Sequence, residues 1–265
     1  MPDAVLNGFK HHWEEAGPSA GLPPGSPMGR GGGSGDSTGT VATLVMLHGA
    51  AASGKLLLPH LEELAKTLHV VIPDIRGMGQ SERVSSIPPD GWEDDLGALL
   101  DHLGVEKTHL YGTSLGSRIC LRFTIDHPER VLSLVLDNPL VSNNPAMDAR
   151  FVTPPPATPE QAGRNEMLHG ADWEVAVRNY YAIRNDQAFQ AHHNFRELAK
   201  TVKVPTLITR GDSRTDLVHP LPDAFEMFNL IATSHLWIKP EGGCLATPEG
   251  YDRIRAHVAA ASANT

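Results

Sequence analysis

Short apolar runs alternate with amphipathic stretches along most of this chain. The apolar runs lie at 41–47, 70–73, 108–111, 131–136, 206–209 and 235–238. Runs that are apolar almost throughout are typical of strands in a parallel sheet, because helices cover both faces of such a sheet. The pattern therefore predicts six buried strands.

The stretches between these runs have the period of amphipathic helices. Helices are predicted at 55–68, at 92–103, at 115–126 and from Thr247 onward. In the first, leucines at 57, 58, 61, 64 and 68 form one apolar stripe. The last opens with a threonine and Pro248, which are favoured at the start of a helix. Repeated strand–helix units predict an α/β fold with a mostly parallel, doubly wound sheet.

Two segments interrupt this alternation. Residues 18–40 hold eight glycines and four prolines, and such a segment buries too little apolar surface to order itself, so a flexible loop is predicted. Residues 139–200 contain weakly amphipathic stretches at 173–183 and 187–198. They predict a helical cap inserted into a core made of residues 1–138 and 201–265.

Composition narrows the classes of function. The chain has 265 residues with a net charge of −9 and two cysteines, Cys120 and Cys244. It has no basic stripe, so nucleic acid and anionic membranes are not expected as partners. No apolar run approaches the ~20 residues of a membrane span, and no signal segment is evident. We expect a cytoplasmic protein that acts on a small molecule without a metal or cofactor, with its oligomeric state left open.

The segment 112–116 reads Gly-Thr-Ser-Leu-Gly between a predicted strand and a predicted helix. This is the context of a nucleophile turn, in which glycines permit a tight strand-to-helix bend and expose the serine hydroxyl. Ser114 is the predicted nucleophile, and the N–H of Leu115 is a candidate donor to an oxyanion. The competing interpretation is a turn of small residues that only begins a helix.

A second candidate turn, His48, Gly49 and Ala50, follows the first long apolar run. Backbone N–H groups near Ala50 would complete an oxyanion hole with Leu115, although an ordinary strand–helix turn has the same sequence features. Residues 49–56 also approach a phosphate-binding loop. Leu56 replaces the Ser or Thr that would bind Mg²⁺, which disfavours a nucleotide site.

With these motifs in place, the chain resembles the α/β-hydrolase fold superfamily over nearly its whole length. The matching segments are 45–49, 74–81, 112–116 and 127–131. The resemblance implies a catalytic acid after the strand at 206–209, and Asp216 is the preferred candidate. Asp212 is its local rival, and Asp137 is the alternative that follows an earlier strand. A solvated loop aspartate remains the competing interpretation for each.

The resemblance also implies a histidine just after the last strand, where this sequence has Cys244. A neutral thiol is a weak hydrogen-bond partner and cannot become a cation as imidazole does. His219 in the acid loop and three histidines of the predicted cap could supply a base, although each is expected to be an ordinary surface residue. The three are His169, His192 and His193.

Three functional hypotheses remain open at this point. The first is a hydrolase that cleaves an ester, thioester or carbon–carbon bond at Ser114 with a triad that lacks the usual histidine. The second is a non-hydrolytic cyclase, lyase or isomerase that uses the same pocket, and the third is a ligand-binding protein without catalysis. A cysteine introduced in place of histidine would give the same sequence.

Overall fold

Eight strands form one sheet in the computed structural model, which describes residues 2–18, 41–240, 245 and 247–263. The strands are β1 Asp3–Leu6, β2 Phe9–Ala16, β3 Thr43–Leu47, β4 His69–Pro73, β5 Thr108–Thr113, β6 Val131–Asp137, β7 Thr206–Gly211 and β8 Ser234–Lys239. Their order is β1-β2-β4-β3-β5-β6-β7-β8. The predicted loop lies outside the described residues except for its first residue, Pro18, and Cys244 lies outside them as well.

The six predicted strands all form, as β3 to β8, and they pair in parallel. The α/β fold with a mostly parallel sheet is thus confirmed. The hairpin of β1 and β2 was not predicted, and β2 joins β4 in the antiparallel direction. Asn7 and Gly8 form its two-residue turn with φ of 51° and 84°. An Asn-Gly pair is the strongest short-range hairpin signal, so the sequence carried this information.

Nine α-helices are present among the described residues. They are α1 Leu58–Leu64, α2 Gly91–His102, α3 Leu115–Asp126, α4 Pro145–Arg150, α5 Pro159–His169, α6 Trp173–Arg184, α7 Gln187–His192, α8 Leu221–Leu230 and α9 Pro248–Ser262. The helix expected over 55–68 is instead a 3₁₀ turn, Gly54–Leu56, followed by α1. Pro59 in the first turn of α1 accounts for the break, because proline begins a helix more readily than it continues one. None of these helices is long and apolar enough to cross a membrane.

The sheet separates two apolar clusters. The larger contains buried residues of α2, α3 and α8, such as Leu100, Phe123 and Met227. The smaller contains residues of α1 and α9, such as Leu64 and Ile254. Both faces of the parallel strands are therefore covered, which explains why their sequences are apolar almost throughout.

Four helices, α4 to α7, lie in the chain between β6 and β7, where the cap was predicted. We call them the insert helices. Helix α5 was not predicted, although it begins with a capping box. Thr158 accepts a hydrogen bond from the backbone N–H of Gln161, whose side chain bonds back to the N–H of Thr158.

The insert helices contact the core through buried polar groups. Nδ1 of His169 accepts a hydrogen bond from the backbone N–H of Gly79 at 3.0 Å. Nε2 of His193 lies 3.0 Å from Oε1 of Glu93 on α2. The expectation that these two histidines lie at the surface is wrong, because both are buried. His192 is partly exposed and lies 3.8 Å from the other carboxylate oxygen of Glu93.

The contact between Glu93 and His193 joins two groups that are uncharged near neutral pH. Burial raises the pKa of Glu93 to about 8 and lowers the pKa of His193 to about 3. Nδ1 of His193 donates to the carbonyl oxygen of Phe189 at 3.1 Å. Its Nε2 therefore accepts a hydrogen bond from the protonated carboxyl of Glu93.

The first prediction concerns Glu93→Gln. The raised pKa means that stability gained from the protonated carboxyl is present below its ordinary pKa and is lost as pH rises toward about 8. Between about pH 5 and about pH 8 we expect the free energy of unfolding of the native protein to fall by on the order of 2 kcal/mol more than that of Glu93→Gln. The glutamine amide can still donate to His193 but does not titrate.

Urea unfolding at both pH values measures this difference. The matched control is Glu129→Gln, since the side chain of Glu129 is 67% exposed and should leave the native pH dependence unchanged. Identical pH dependence in the native protein and Glu93→Gln would show that the carboxyl is ionised in the folded state.

Candidate active site

Ser114 occupies a strained turn between β5 and α3. Its backbone has φ 54° and ψ −111°, a conformation that is costly for a residue with a side chain. Its N–H donates to the carbonyl oxygen of Asp137 at 3.0 Å. Its own carbonyl accepts from the hydroxyl of Ser117 at 2.6 Å. These bonds fix a tight strand-to-helix turn at the place where the sequence predicts one.

Two glycines allow this turn to form. A Cβ atom on Gly112 would lie 2.2 Å from the carbonyl oxygen of Gly116, and one on Gly116 would lie 2.3 Å from that of Leu47. Any side chain at either position would push α3 away from β3 and β5. The spacing of the glycines around Ser114 therefore reflects the close approach of the helix to the sheet.

His219 is the residue that contacts the serine hydroxyl. Its Nε2 lies 2.8 Å from Oγ of Ser114, and its Nδ1 lies 3.3 Å from Oδ2 of Asp216. Only 19% of the His219 side chain is exposed. The expectation that His219 is an ordinary surface histidine is wrong. Serine, histidine and aspartate here have the mutual arrangement of a catalytic triad.

The loop after β7 supplies both the histidine and the aspartate. Oδ1 of Asp216 accepts hydrogen bonds from the backbone N–H groups of Val218 and His219, each at 3.0 Å. Arg210, a buried residue of β7, donates from Nε to the carbonyl oxygen of His219 at 2.9 Å. The carboxylate of Asp216 and the guanidinium group of Arg210 thus both bind the backbone of this loop.

Burial and charge act in opposite directions on these titratable groups. Burial lowers the pKa of His219, and the charge of Asp216 and its hydrogen bond raise it without full compensation. Burial alone would raise the pKa of Asp216. Hydrogen bonds from the backbone N–H groups of His219 and Val218, together with the charges of His219 and Arg210, outweigh the effect of burial. The pKa of Asp216 therefore lies below its ordinary value. Near neutral pH the pair is therefore a carboxylate beside a neutral imidazole.

The second predicted turn lies against the serine. A Cβ atom on Gly49 would lie 3.5 Å from Cβ of Ser114, and Gly49, Ala50 and Leu115 line the same cavity as the serine. The buried side chain of His48 does not line this cavity. It donates from Nδ1 to the carbonyl of Gly49 at 2.8 Å and accepts at Nε2 from the N–H of Ile75 at 3.0 Å. His48 therefore braces the turn.

The rival acids have other surroundings. The carboxylate of Asp137 is buried and accepts hydrogen bonds from the hydroxyls of Tyr111 at 2.8 Å and Thr209 at 2.7 Å. Asp212 is exposed, and its backbone N–H donates to the carbonyl of Lys239 at 2.9 Å. Among the three candidates, Asp216 is thus the one placed against the imidazole.

A cavity of about 450 Å³ opens at the serine between the core and the insert helices. Its lining residues are Gly49, Ala50, Ala52, Leu56, Thr113, Ser114, Leu115, Arg118, Leu140, Phe151, Arg164, Tyr180, Arg184, Phe189, Asp216, Val218 and His219. A volume of this size suits a small organic molecule.

Among the described residues, one group has the spacing of metal ligands. Atoms of Glu93, His192 and His193 lie within 4.8 Å of one another, but none of these residues lines the cavity. Because Glu93 and His193 already form a hydrogen bond, we assign this group to the contact between the insert helices and the core.

The family model described as alpha/beta hydrolase fold matches residues 42–174, about half of the chain. This chain belongs to the α/β-hydrolase fold family. The match includes the serine turn and the turn at His48, and it ends within the insert helices. The loop that carries Asp216 and His219 lies beyond the matched region.

Individual relatives are similar to parts of this α/β-hydrolase. It is 41% identical over 101 residues to a 2-hydroxymuconate semialdehyde hydrolase of Pseudomonas sp. (strain CF600). The aligned region covers 35% of this chain and 35% of the relative. It is 31% identical over 160 residues to a pimeloyl-[acyl-carrier protein] methyl ester esterase of Aeromonas hydrophila subsp. hydrophila, which covers 58% of each chain. The chain thus matches about a third and about three fifths of the length of these relatives.

The similarity of the fold extends further than that of the sequence. A hydrolase from Pseudomonas aeruginosa PA01 superposes with a TM-score of 0.71 over 98% of this chain and 97% of its own, at 19% sequence identity. At that level of identity the likeness shows the fold alone.

The second prediction tests the strain at Ser114. Because its φ of 54° favours glycine, we expect Ser114→Gly to be more stable than Ser114→Ala by about 1 kcal/mol. Chemical unfolding of the two variants measures the difference. At Ser117, within α3, the order should reverse, since glycine destabilises a helix interior relative to alanine. Equal stability of the two Ser114 variants would show that the turn relaxes in solution.

Proposed function

We propose that this α/β-hydrolase is a serine hydrolase that cleaves a small carbonyl-containing substrate through Ser114, His219 and Asp216. The observation that supports the proposal is the pair of contacts made by His219, 2.8 Å to the serine hydroxyl and 3.3 Å to the carboxylate. A general base must first lie within hydrogen-bond reach of the proton that it removes, and His219 meets this condition.

The contact with Asp216 selects the tautomer of the imidazole. A carboxylate only accepts hydrogen bonds, so the Nδ1 of His219 that faces it carries the proton. Nε2 then presents its lone pair to the hydroxyl of Ser114, as base catalysis requires. Asp216 also stabilises the imidazolium that forms when the serine proton is transferred.

Hydrolysis then proceeds in two halves. Oγ of Ser114 attacks the substrate carbonyl as Nε2 of His219 takes its proton, and the backbone N–H groups of Ala50 and Leu115 receive the oxyanion. His219 returns the proton to the leaving group as the bond to the acyl carbon breaks. A water molecule, deprotonated by His219, attacks the acyl-enzyme and releases the acid and the free serine.

In this mechanism Cys244 needs no catalytic role. The sequence left His219 as one of several histidines that could supply the base, and its contact with Ser114 is what favours it here. At neutral pH an uncharged imidazole has a lone pair that accepts a proton. A thiol with a free pKa of about 8.5 is mostly protonated at this pH and is a far weaker base. The proposed triad is therefore Ser114, His219 and Asp216, with the base supplied by the acid loop.

The related proteins support hydrolysis over the non-hydrolytic and ligand-binding alternatives. One is named a semialdehyde hydrolase and another a methyl ester esterase. A complete acid–base relay would serve no purpose in a protein that only binds its ligand. We also infer that the insert helices act as a cap that selects the substrate, since they contribute Arg164, Tyr180, Arg184 and Phe189 to the cavity.

The third prediction separates His219 from Cys244 as the base. His219→Ala should lower kcat/KM for 4-nitrophenyl butyrate by on the order of 10⁴-fold, the usual effect of removing a triad member. Cys244→Ser should retain activity within about threefold. A fluorophosphonate probe, followed by peptide mass spectrometry, should label Ser114 in the native protein and not in His219→Ala.

The histidine control is His127→Ala, because His127 is half exposed and lies outside the cavity. It should behave as the native protein does. Loss of activity in Cys244→Ser with retention in His219→Ala would overturn the assignment of the base. Absence of any Ser114 adduct in the native protein would overturn the covalent mechanism.

The fourth prediction concerns pH. Because His219 must be neutral to act as the base, kcat/KM should fall as pH drops through its pKa. Burial places this pKa below the ordinary value of 6.5, so activity should remain on a plateau at neutral pH and decline only below it. Asp216→Asn removes a charge that raises this pKa, so the decline should move to lower pH while the plateau falls by on the order of 10³-fold or more.

A pH–rate profile of both proteins with a neutral ester measures these effects. Asp212→Asn is the matched control in the same loop, because Asp212 is exposed, and its profile should follow the native one. A native midpoint well above 6.5 would show that burial of His219 does not outweigh the charge of Asp216.

A further inference from the structure

Two buried arginines line the cavity at Ser114. Arg118 lies on α3, one helical turn after the serine, and is 3% exposed. Arg184 lies at the end of α6 in the insert helices and is 1% exposed. Arginine is rarely fully buried unless it is paired, and these two belong to the core and to the insert helices respectively while lining one cavity.

The charge of the cavity contrasts with that of the chain. The protein carries a net charge of −9, yet the charged groups of the lining are three arginines and Asp216. Asp216 is already engaged by the backbone of its own loop and by His219. A low-dielectric cavity lined by one sign of charge attracts ligands of the opposite sign.

The two guanidinium groups have acidic neighbours within the protein. Asp148 on α4 lies 3.1 Å from Arg184, and the side chain of Asp148 is half exposed. Burial and the positive charge of Arg184 lower the pKa of Arg118 to about 10, despite opposing effects of Tyr180, Asp223 and Asp148. An anion that contacts both arginines would relieve the repulsion between them.

The geometry points to a carboxylate subsite formed by Arg118 and Arg184, so that the substrate is an acyl compound with a free carboxylate on its acyl chain. This inference rests on the proposed serine hydrolase and adds the substrate class. Planar guanidinium groups bind carboxylates with two parallel hydrogen bonds. The buried hydroxyl of Tyr180 lines the same wall and stays protonated, since burial raises its pKa to about 12.

The position of Arg118 favours a short substrate as the first probe. Four residues of α-helix rise by about 6 Å, which separates the backbone positions of Ser114 and Arg118 along α3. The dicarboxylate adipate, which is short and flexible, is therefore a suitable acyl chain for the test. Leu140, Phe151 and Phe189 provide the apolar walls that such a chain would contact.

Two substrates of equal shape and different charge test the subsite. The 4-nitrophenyl monoester of adipic acid carries a carboxylate, and the 4-nitrophenyl ester of adipic acid monoamide carries a neutral amide in its place. We expect the native protein to favour the carboxylate in kcat/KM by on the order of 10- to 100-fold, as expected for charge-assisted hydrogen bonds. Arg118→Gln and Arg184→Gln should each reduce this ratio toward one.

The neutral substrate serves as the internal reference. In Arg118→Gln, kcat/KM for the carboxylate substrate should fall by at least tenfold more than kcat/KM for the neutral substrate, since only the charged group of the substrate loses its partner. Arg118→Lys should keep part of the preference. The matched controls are Arg122→Gln, one turn further along α3 and paired with Asp126, and Arg178→Gln, an exposed residue of α6. Both should keep the native ratio.

A binding measurement separates the failure of this inference from the failure of the proposed hydrolase. Isothermal titration of Ser114→Ala with adipate and with adipamide needs no catalysis. Adipate should bind more tightly by at least tenfold, and Arg118→Gln in the same background should remove the difference. If the native protein cleaves neither ester but adipate binds in this way, the subsite stands and the hydrolase proposal fails.

Two results would overturn the subsite. One is cleavage of both esters with a native ratio at or below one. The other is a native preference that persists in Arg118→Gln and Arg184→Gln, because a carboxylate would then be recognised elsewhere. Inorganic phosphate that displaces adipate at lower concentration than adipate itself binds would also overturn the assignment to carboxylates.

Discussion

The close packing of α3 against the sheet is the constraint on which the site depends. Gly112 and Gly116 leave no space for a Cβ atom, and this contact forces the chain at Ser114 into a positive φ. The strained turn holds the serine hydroxyl against His219, and Leu115, the first residue of α3, lines the same cavity. The turn at Gly49 can lie against the serine because neither of these segments carries a large side chain. The cavity therefore opens where the backbone is most constrained.

A single loop after β7 carries the remaining proposed machinery. In this loop Asp216 binds the backbone of Val218 and His219 and also faces the imidazole, so one carboxylate both shapes the loop and orients the histidine. Arg210 holds the carbonyl of His219 from the strand below. Because the acid and the base are three residues apart, their relative geometry is local, and only their position against Ser114 depends on the rest of the fold. This arrangement explains how the proposed triad can be formed entirely by described residues.

The sequence predicted those features that local patterns determine. The six parallel strands, the start of α3 and the serine turn follow from apolar periodicity and glycine spacing, and Asp216 followed from family resemblance. The role of His219 could not be derived in the same way, because it depends on a contact between residues 105 positions apart. His169 and His193 were placed at the surface for a similar reason, since their burial depends on where the insert helices meet Gly79 and Glu93. The hairpin at Asn7 and α5 are different cases, because the Asn-Gly turn and the capping box that specify them are local sequence signals.

The cavity combines two electrostatic demands that oppose each other. A cation near His219 disfavours its protonated form, and Arg118 and Arg210 both lower its pKa in this way. Recognition of an anion requires such cations, whereas transfer of the serine proton requires the imidazolium to be stabilised. Asp216 stabilises the imidazolium from the Nδ1 side of the ring, opposite the Nε2 that faces Ser114. A carboxylate bound at Arg118 and Arg184 would neutralise the nearer cations at the moment when His219 must accept its proton. The substrate would then supply part of the electrostatic stabilisation that the free site lacks, which links recognition of the anion to the basicity of His219.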